Sequence, residues 1–506
     1  MLRRFLLGVA ALTSFAIAAP ATELVTHAVE VRLHSKRSSI ESQGKPVLEG
    51  LERRSIYEKK GSWFLLVNAT PWNMTLTKTS SYQMNIWKFP KTIKPGTSNR
   101  IYIQGRGHID DGGEASYQFK DLPGRPEFEF RYSGKLGVNR IPGAGIRFTS
   151  LETLNNKPGS FRKLRWHRNN NIPFIIASSE TDPHNPSIVP WLVSTSPPID
   201  WMHATYPRIS CLTLRELAMP GTHHSGMSRF NRRSGLGLPS NTMAQELNVT
   251  MQLKFGVRWL DVRPSKTAGG WAAGHYSFSH GNWHGGNGEW LDDIVDSLNR
   301  FTENNKELII MKLDHGLNSD TFRGKKNARM TQEEWEQVMK KLERINYRVE
   351  NRGHEVDLSR LQVSEFIQDH AAVIIVIDDR VYKTKARVDL SAFADKGFFR
   401  RDQLPLYDKY AKTSNQNKMI KDQLTKMREQ RFSSDSSMFL LSWTLTQRLH
   451  SVIGNAKHAN RALIELLWPA MSPSTYPNII GVDAYPANRD LAALAMAINY
   501  HFAPRC

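Results

Sequence analysis

Cysteine is almost missing from this chain. Its 506 residues contain two, Cys211 and Cys506. Two thiols exclude a disulfide-built scaffold and a cysteine-rich metal cluster, and leave at most one bridge. Long apolar runs are missing too. Past residue 19 no stretch reaches the ~20 apolar residues that a membrane span needs. Acidic residues are in deficit: 48 Asp and Glu stand against 68 Lys and Arg, a formal charge of +20. Such a surface favours polyanions, whether acidic lipid, nucleic acid or acidic polysaccharide. Neither an internal repeat nor a low-complexity tract is present.

The first residues have the pattern of an export signal. Arg3 and Arg4 precede an apolar run to Ala19, and Ala16-Ile17-Ala18 has the A-x-A form of a cleavage site. Residues 1–18 are therefore expected to be a signal peptide of a secreted protein. Residues 19–60 are expected to be a leader or propeptide, with Lys36-Arg37 and Arg53-Arg54 as dibasic pairs open to processing. Three N-x-[ST] sequons, at Asn68, Asn73 and Asn248, are the expected glycosylation positions of an exported chain.

Residues 61–180 read as a small β-sandwich-like domain. Residues 63–68, 74–87, 100–103 and 127–132 are short apolar or alternating runs broken by Pro, Gly and Asn. Trp63, Trp72 and Trp87 are expected in its packing. Residues 181–200 are rich in proline and serine and are expected to be a linker. From residue 201 strands alternate with amphipathic helices. The periodicity predicts helices over 289–301 and 331–345, and buried strands over 308–313, 372–377, 438–442 and 479–482. Such alternation over 201–506 predicts an α/β fold: a (β/α) TIM-type barrel, regular or irregular, preceded by the smaller all-β domain.

In a barrel of this kind active residues sit at the C-terminal ends of strands. Pro220-Gly221-Thr222-His223 ends an apolar run and delivers a histidine there. Leu260-Asp261-Val262-Arg263 ends a second strand with a carboxylate and a guanidinium two residues apart, hence on one face. His280, in Ser279-His280-Gly281, is expected to end a third strand; His275 and His284 lie close to it. Asp314 and Asp483 end later strands, and Arg380 follows another. Two histidines and an arginine suffice to cleave a phosphodiester with no cofactor: one accepts the proton of the attacking hydroxyl, the other donates to the leaving oxygen, and the arginine stabilises the phosphoryl charge.

Pro220-Gly221-Thr222-His223, the 256–263 segment, and His280-Gly281 followed by Leu291-Asp292-Asp293-Ile294 together resemble the X domain of phosphatidylinositol-specific phospholipase C. The resemblance runs from about Trp201 to the C-terminus. It implies that His223 is the general base, His280 the general acid and Asp483 the carboxylate that orients His223. It implies that Arg263 takes the place of calcium, as in the bacterial-type branch, with Asp261 beside it. Asp314 matches a calcium-ligand position of the other branch, so no metal and no cofactor are expected. His224 stands where the family has Asp or Asn; with Asp314 and Arg380 it is a candidate for substrate contact.

The expected activity is cleavage of phosphatidylinositol-type lipids, or glycosylated inositol-lipid anchors, through a cyclic inositol phosphate with release of diacylglycerol. The expected partner is an anionic phospholipid surface, with neither nucleic acid nor an obligate protein partner. Two other readings stay open: a glycerophosphodiesterase or sphingomyelinase-D-like barrel, which Arg263 opposes, and an inactive lipid- or glycan-binding barrel. Cys211 lies just before the first barrel strand and Cys506 after the last helix. Neighbouring ends of a closed domain are expected to bring them into one disulfide.

Overall fold

A computed structural model describes residues 61–135, 143–166, 168–179, 190–322, 328–350, 352, 355–381, 384, 386–446 and 451–506. All the described residues fall in one compact unit, the second of the chain's two. Residues 1–60, with the expected signal peptide, leader and dibasic pairs, lie outside the described residues.

The second unit begins with two sheets. A mixed five-stranded sheet runs Leu192–Val193, Asn171–Ala177, Ser62–Ala69, Ser98–Gly105, Met84–Trp87. An antiparallel six-stranded sheet runs Thr92–Ile93, Met74–Tyr82, Gly112–Gln118, Glu127–Ser133, Gly143–Arg147, Phe161–Leu164. Their inner faces share one aromatic core: Phe64 lies 4.9 Å from Phe130, and Phe130 lies 5.3 Å from Phe174. Trp72 belongs to that core and Trp87 packs against it. Strand Ser62–Ala69 is buried along its whole length. Alternation explains only half of that, since Phe64 and Leu66 enter the core. Helix Asp490–His501 packs on the same strand and on Asn171–Ala177, and also touches Met219–Thr222. Covered by sheets in this way, the helix is buried all round from Leu491 to Tyr500.

Two expectations change here. Within the expected linker, Leu192–Val193 forms a strand paired to Ile176 and Ala177, and the Trp191 ring lies 4.6 Å from that of Phe119. The surrounding Pro and Ser residues concealed a short Trp-Leu-Val apolar segment; residues 181–189 lie outside the described part. Asn68 does not suit glycosylation. It is buried, and its Nδ2 donates to the Trp72 and Ile93 carbonyls at 2.8 and 3.1 Å. Both amide hydrogens are spent inside the fold, and the sequon threonine, Thr70, bonds back to Asn68 Oδ1 at 2.7 Å. Asn73 is exposed, and Asn248 caps helix Val249–Lys254 through Oδ1.

The rest is α/β. Eight strands form one curled, all-parallel sheet in the order Phe398–Arg400, Ala372–Ile377, Leu308–Leu313, Trp259–Val262, Met219–Thr222, Ile479–Val482, Met438–Trp443, Leu406–Tyr407. Most of its strands are apolar and buried, as parallel strands covered on both faces must be. From Met219–Thr222 chain order rises on one side to Phe398–Arg400, and on the other side it falls from Ile479–Val482 to Leu406–Tyr407. Between the two edge strands no ladder forms among the described residues, so the sheet is barrel-like and not shown closed. Arg401 crosses that gap and donates to the Leu406 carbonyl. Thr331 caps helix Gln332–Leu342, which lies within the predicted span 331–345, in a capping box with Glu334. A separate five-stranded sheet carries the long hairpin of Gly270–Ser279 and Asn282–Trp290. Cys211 and Cys506 are joined in a disulfide, with Cα atoms 5.4 Å apart. Among the described residues no helix is long and apolar enough to cross a membrane.

Candidate active site

The turn after Met219–Thr222 is fixed from several sides. Ser225 N donates to the Asp261 carbonyl at 2.7 Å, and Asp261 N donates back to Ser225 Oγ at 2.8 Å. Gln245 Nε2 donates to both the His223 and Val482 carbonyls, at 2.8 and 3.0 Å. Neighbouring strand ends are thereby locked, and with them His223 and Asp483. His224, in the same turn, takes a left-handed φ of 47°. A non-glycine residue held there is a mark of a constrained site.

His223 Nδ1 lies 2.8 Å from Asp483 Oδ1, and its Nε2 lies 3.2 Å from an Arg263 amine. The carboxylate and the guanidinium decide the tautomer. A carboxylate accepts, so Nδ1 carries the hydrogen; a guanidinium donates, so Nε2 presents its lone pair. Asp483 is 2% exposed and His223 32% exposed, so a buried anion holds an accessible base.

Arg263 is held between two carboxylates, 3.4 Å from Asp261 Oδ2 and 3.5 Å from Asp314 Oδ1. Burial works against its charge, but Asp261 and Asp314 outweigh burial and raise its affinity for the proton. Asp261 Oδ2 also accepts the His224 backbone N–H at 3.1 Å. Burial would raise the Asp314 carboxyl; Lys312, 3.0 Å from Oδ2, and Arg263 hold it well below the usual range. Asp314 also pairs with His315 Nδ1 at 2.8 Å. It positions Arg263 and Lys312 rather than facing solvent. The two carboxylates suited to a divalent ion are thus already spanned by a cation. Among the described residues no group of three or more His, Cys, Asp or Glu is arranged to hold a metal.

The second histidine differs from expectation. His280 sits in the exposed turn of the long hairpin, which belongs to the separate sheet and not to the parallel strands. His275, in the body of Gly270–Ser279, reaches the site instead. Its ring stacks on His224 at 4.0 Å, and His224 meets His223 edge-on at 4.2 Å. A strand rises about 3.4 Å per residue, which puts His280 about 17 Å further along the hairpin. His275 Nδ1 is fixed at 2.7 Å from the Thr242 carbonyl, which leaves Nε2 as its working atom. Burial, partly opposed by that bond, pushes His275 down to about 4. His284 is structural: it accepts from Leu236 N and bonds the Ser279 carbonyl.

His224 is buried, and burial followed by Arg263 and His275 drives its pKa well below 6.5. It is a neutral spacer between the two working rings, and its Nδ1 has no hydrogen-bond partner. Arg380 lies apart from His223, at the exposed mouth of a neighbouring recess. The sequence reading overlooked Lys312, the penultimate residue of the apolar strand Leu308–Leu313, which bonds Asp408 at 2.7 Å. A lysine inside a buried strand was the available signal. Gln245 was also overlooked and gave none.

No family model and no curated protein matches the chain. Several solved structures resemble it. A phosphatidylinositol-specific phospholipase C from Staphylococcus aureus is 14% identical, with TM-score 0.40, over 57% of this chain and 94% of that one. The Listeria monocytogenes enzyme gives 14%, 0.40, 57% and 95%. A further S. aureus structure, concerned with membrane binding, gives 16%, 0.42, 60% and 98%. At that level of likeness the chemistry rests on the residues of this chain.

Proposed function

We propose that the chain is a secreted phosphodiesterase that cleaves phosphatidylinositol-type lipids, glycosylated inositol-lipid anchors included, with residues 201–506 as its catalytic part. The observation that carries this reading is His223, oriented by Asp483 through Nδ1 and presenting the Nε2 lone pair to Arg263. In this mechanism His223 Nε2 takes the proton of the inositol 2-hydroxyl, whose oxygen attacks phosphorus. Arg263 stabilises the negative charge on the phosphoryl oxygens. His275 Nε2 gives a proton to the departing diacylglycerol oxygen, and a cyclic inositol phosphate results.

The partners of the two rings support the division of labour. A carboxylate behind His223 fixes its tautomer and faces the charge that the ring gains when it takes a proton. Burial, only partly opposed by the Thr242 carbonyl, makes His275 a strong acid once protonated. An incoming phosphodiester anion beside His275 favours that protonation. His280, first expected as the acid, has no part in this scheme. Arg263 supplies the cation between Asp261 and Asp314, so the proposed reaction is independent of calcium. The net charge of +20 favours an anionic membrane as the place of action.

The test is incubation of the protein with phosphatidylinositol vesicles in excess chelator, with products followed by phosphorus NMR. A cyclic phosphodiester signal that His223→Ala abolishes supports the proposal. Vesicle binding without any turnover would instead favour an inactive lipid-binding barrel.

A further inference from the structure

An open cleft of about 420 Å³ lies away from the catalytic residues. One wall is the turn at Gly269 and Gly270 with Trp271 and Trp290. The other is a face of helix Gln332–Leu342 and the residues just past it. Gln337, Lys340, Lys341 and Arg344 are spaced at i, i+3, i+4 and i+7, which aligns them on that face. Gly270 begins the strand that carries His275 five residues later. At about 3.4 Å per residue, the cleft stands about 17 Å from His275. None of its walls belongs to the site at His223.

Trp290 supplies the apolar surface of the cleft. It is 39% exposed, and it pairs across the hairpin with the small Ala272. Its ring lies over Gly270, where a Cβ would stand 3.3 Å from the ring. An indole held in this way offers a broad apolar face and one N–H donor. The charges opposite it are mostly matched. Asp292, at the start of helix Leu291–Thr302, accepts from Lys341 through both oxygens, at 2.7 and 2.8 Å. Arg344 donates to Asp292 at 2.6 Å and lies 3.7 Å from Asp296. Two carboxylates thus answer two of the three cations. Among the described residues Lys340 has no carboxylate partner, and the exposed Gln337 amide has no hydrogen bond.

These walls select by chemistry. A polyanion needs surplus positive charge, and one lysine supplies little. An acyl chain or apolar peptide needs a continuous apolar lining, which Asp292, Gln337 and the cations interrupt. A pyranose has an apolar C–H face and a rim of uncharged hydroxyls. Its face suits Trp290, and its hydroxyls suit the Gln337 amide, the Lys340 ammonium and the paired ions around Asp292. The volume falls within the ~300–1,000 Å³ of ligand sites.

We infer that this cleft is a binding site for a neutral saccharide chain, separate from the catalytic centre. The inference does not depend on lipid cleavage.

The test is calorimetry of the full chain with maltohexaose, cellohexaose, chitohexaose and mannohexaose. Inorganic phosphate and adenosine monophosphate serve as the anionic and nucleobase probes. At least one neutral oligosaccharide should bind, and Trp290→Ala should weaken it about tenfold or more. Gln337→Ala/Lys340→Ala, at two exposed helix positions, should weaken it as well, and it decides the matter should Trp290→Ala fail to fold. His223→Ala should bind the saccharide as the wild type does, whether or not any lipid is cleaved. Failure of every oligosaccharide to bind, unchanged binding in the folded cleft variants, or loss of binding in His223→Ala overturns the inference. So does phosphate or the nucleotide bound more tightly than the best saccharide.

Discussion

His275→Ala and His280→Ala separate the geometry of this site from the pattern of its sequence. Both histidines lie on the strand Gly270–Ser279 or in the turn after it, five residues apart, and only His275 stacks on the His224 ring. If His275 donates the leaving-group proton, its removal costs about 10²–10⁴-fold in turnover. That corresponds to about 2.7–5.4 kcal/mol of transition-state stabilisation at 1.36 kcal/mol per decade. His280 is about 17 Å further along the hairpin, too far for transfer through one water. Its removal should leave kcat within about threefold, and any larger change should fall on KM, because the hairpin tip is exposed. Initial rates on phosphatidylinositol vesicles, with far-ultraviolet dichroism to verify folding, decide the matter. A folded His275→Ala protein with near-normal turnover, or a His280→Ala protein as impaired as His223→Ala, refutes the assignment of the acid.

Three further outcomes follow from the same contacts. Arg263→Lys should lose most activity, since a point charge cannot span Asp261, Asp314 and a phosphoryl group as a planar fork does, and added calcium should not restore it; rescue by calcium would make Asp261 and Asp314 metal ligands. Acidification should expose the depressed His275. Between about 4 and 6.5 the unfolded chain binds a proton there that the folded chain does not, so its contribution is full above 6.5 and lost as pH falls towards 4. From pH 7 to pH 5 that loss is about 1–2 kcal/mol after discounting for partial exposure. Glu289 and Asp490, each pushed up to about 7 by burial, act with the opposite sign, so the test is the difference between wild type and His275→Gln in urea unfolding at the two pH values. Identical pH slopes would sink it. Finally, Cys211→Ser should lower stability by roughly 2–4 kcal/mol, because the bridge closes a separation of 295 residues; labelling of both cysteines in the native protein would show that the bridge is not formed.

The fold was legible wherever burial imposed one period. Leu308–Leu313, Ala372–Ile377 and Ile479–Val482 match the apolar runs residue for residue. Helix Gln332–Leu342 falls within the predicted span 331–345, and its cap, Thr331 with Glu334, is local by nature. The hairpin of Gly270–Ser279 and Asn282–Trp290 was not legible. Gly, Ser, His and Trp there follow no clean alternation, because one strand changes from buried at Trp271–Gly274 to half-exposed or exposed beyond His275. Without that hairpin in view, His280 read as a strand end. Asn68 misled for a similar reason: a sequon is a local pattern, while burial under the Thr92–Ile93 strand is not.

At the site, residues that end parallel strands were legible because strand and turn fix their direction together. His223, Asp261, Arg263, Asp314 and Asp483 all fall at one rim, and all five are linked by contacts within 3.5 Å through Arg263 or His223. What escaped was the division of labour between rings, since it depends on partners supplied by distant loops. Thr242 stands 33 residues from His275, and Asp483 stands 260 from His223. One partner is an anion and the other a neutral carbonyl, and burial, only partly opposed by that carbonyl, depresses the His275 imidazole. His224 adds to it. A carboxylate in its place would favour protonation of both neighbours, whereas a buried neutral ring leaves each histidine governed by its own partner. His224→Asp should therefore raise the apparent pKa values on both limbs of the kcat/KM profile against pH. A profile that does not move in this variant would mean that the ring merely fills space.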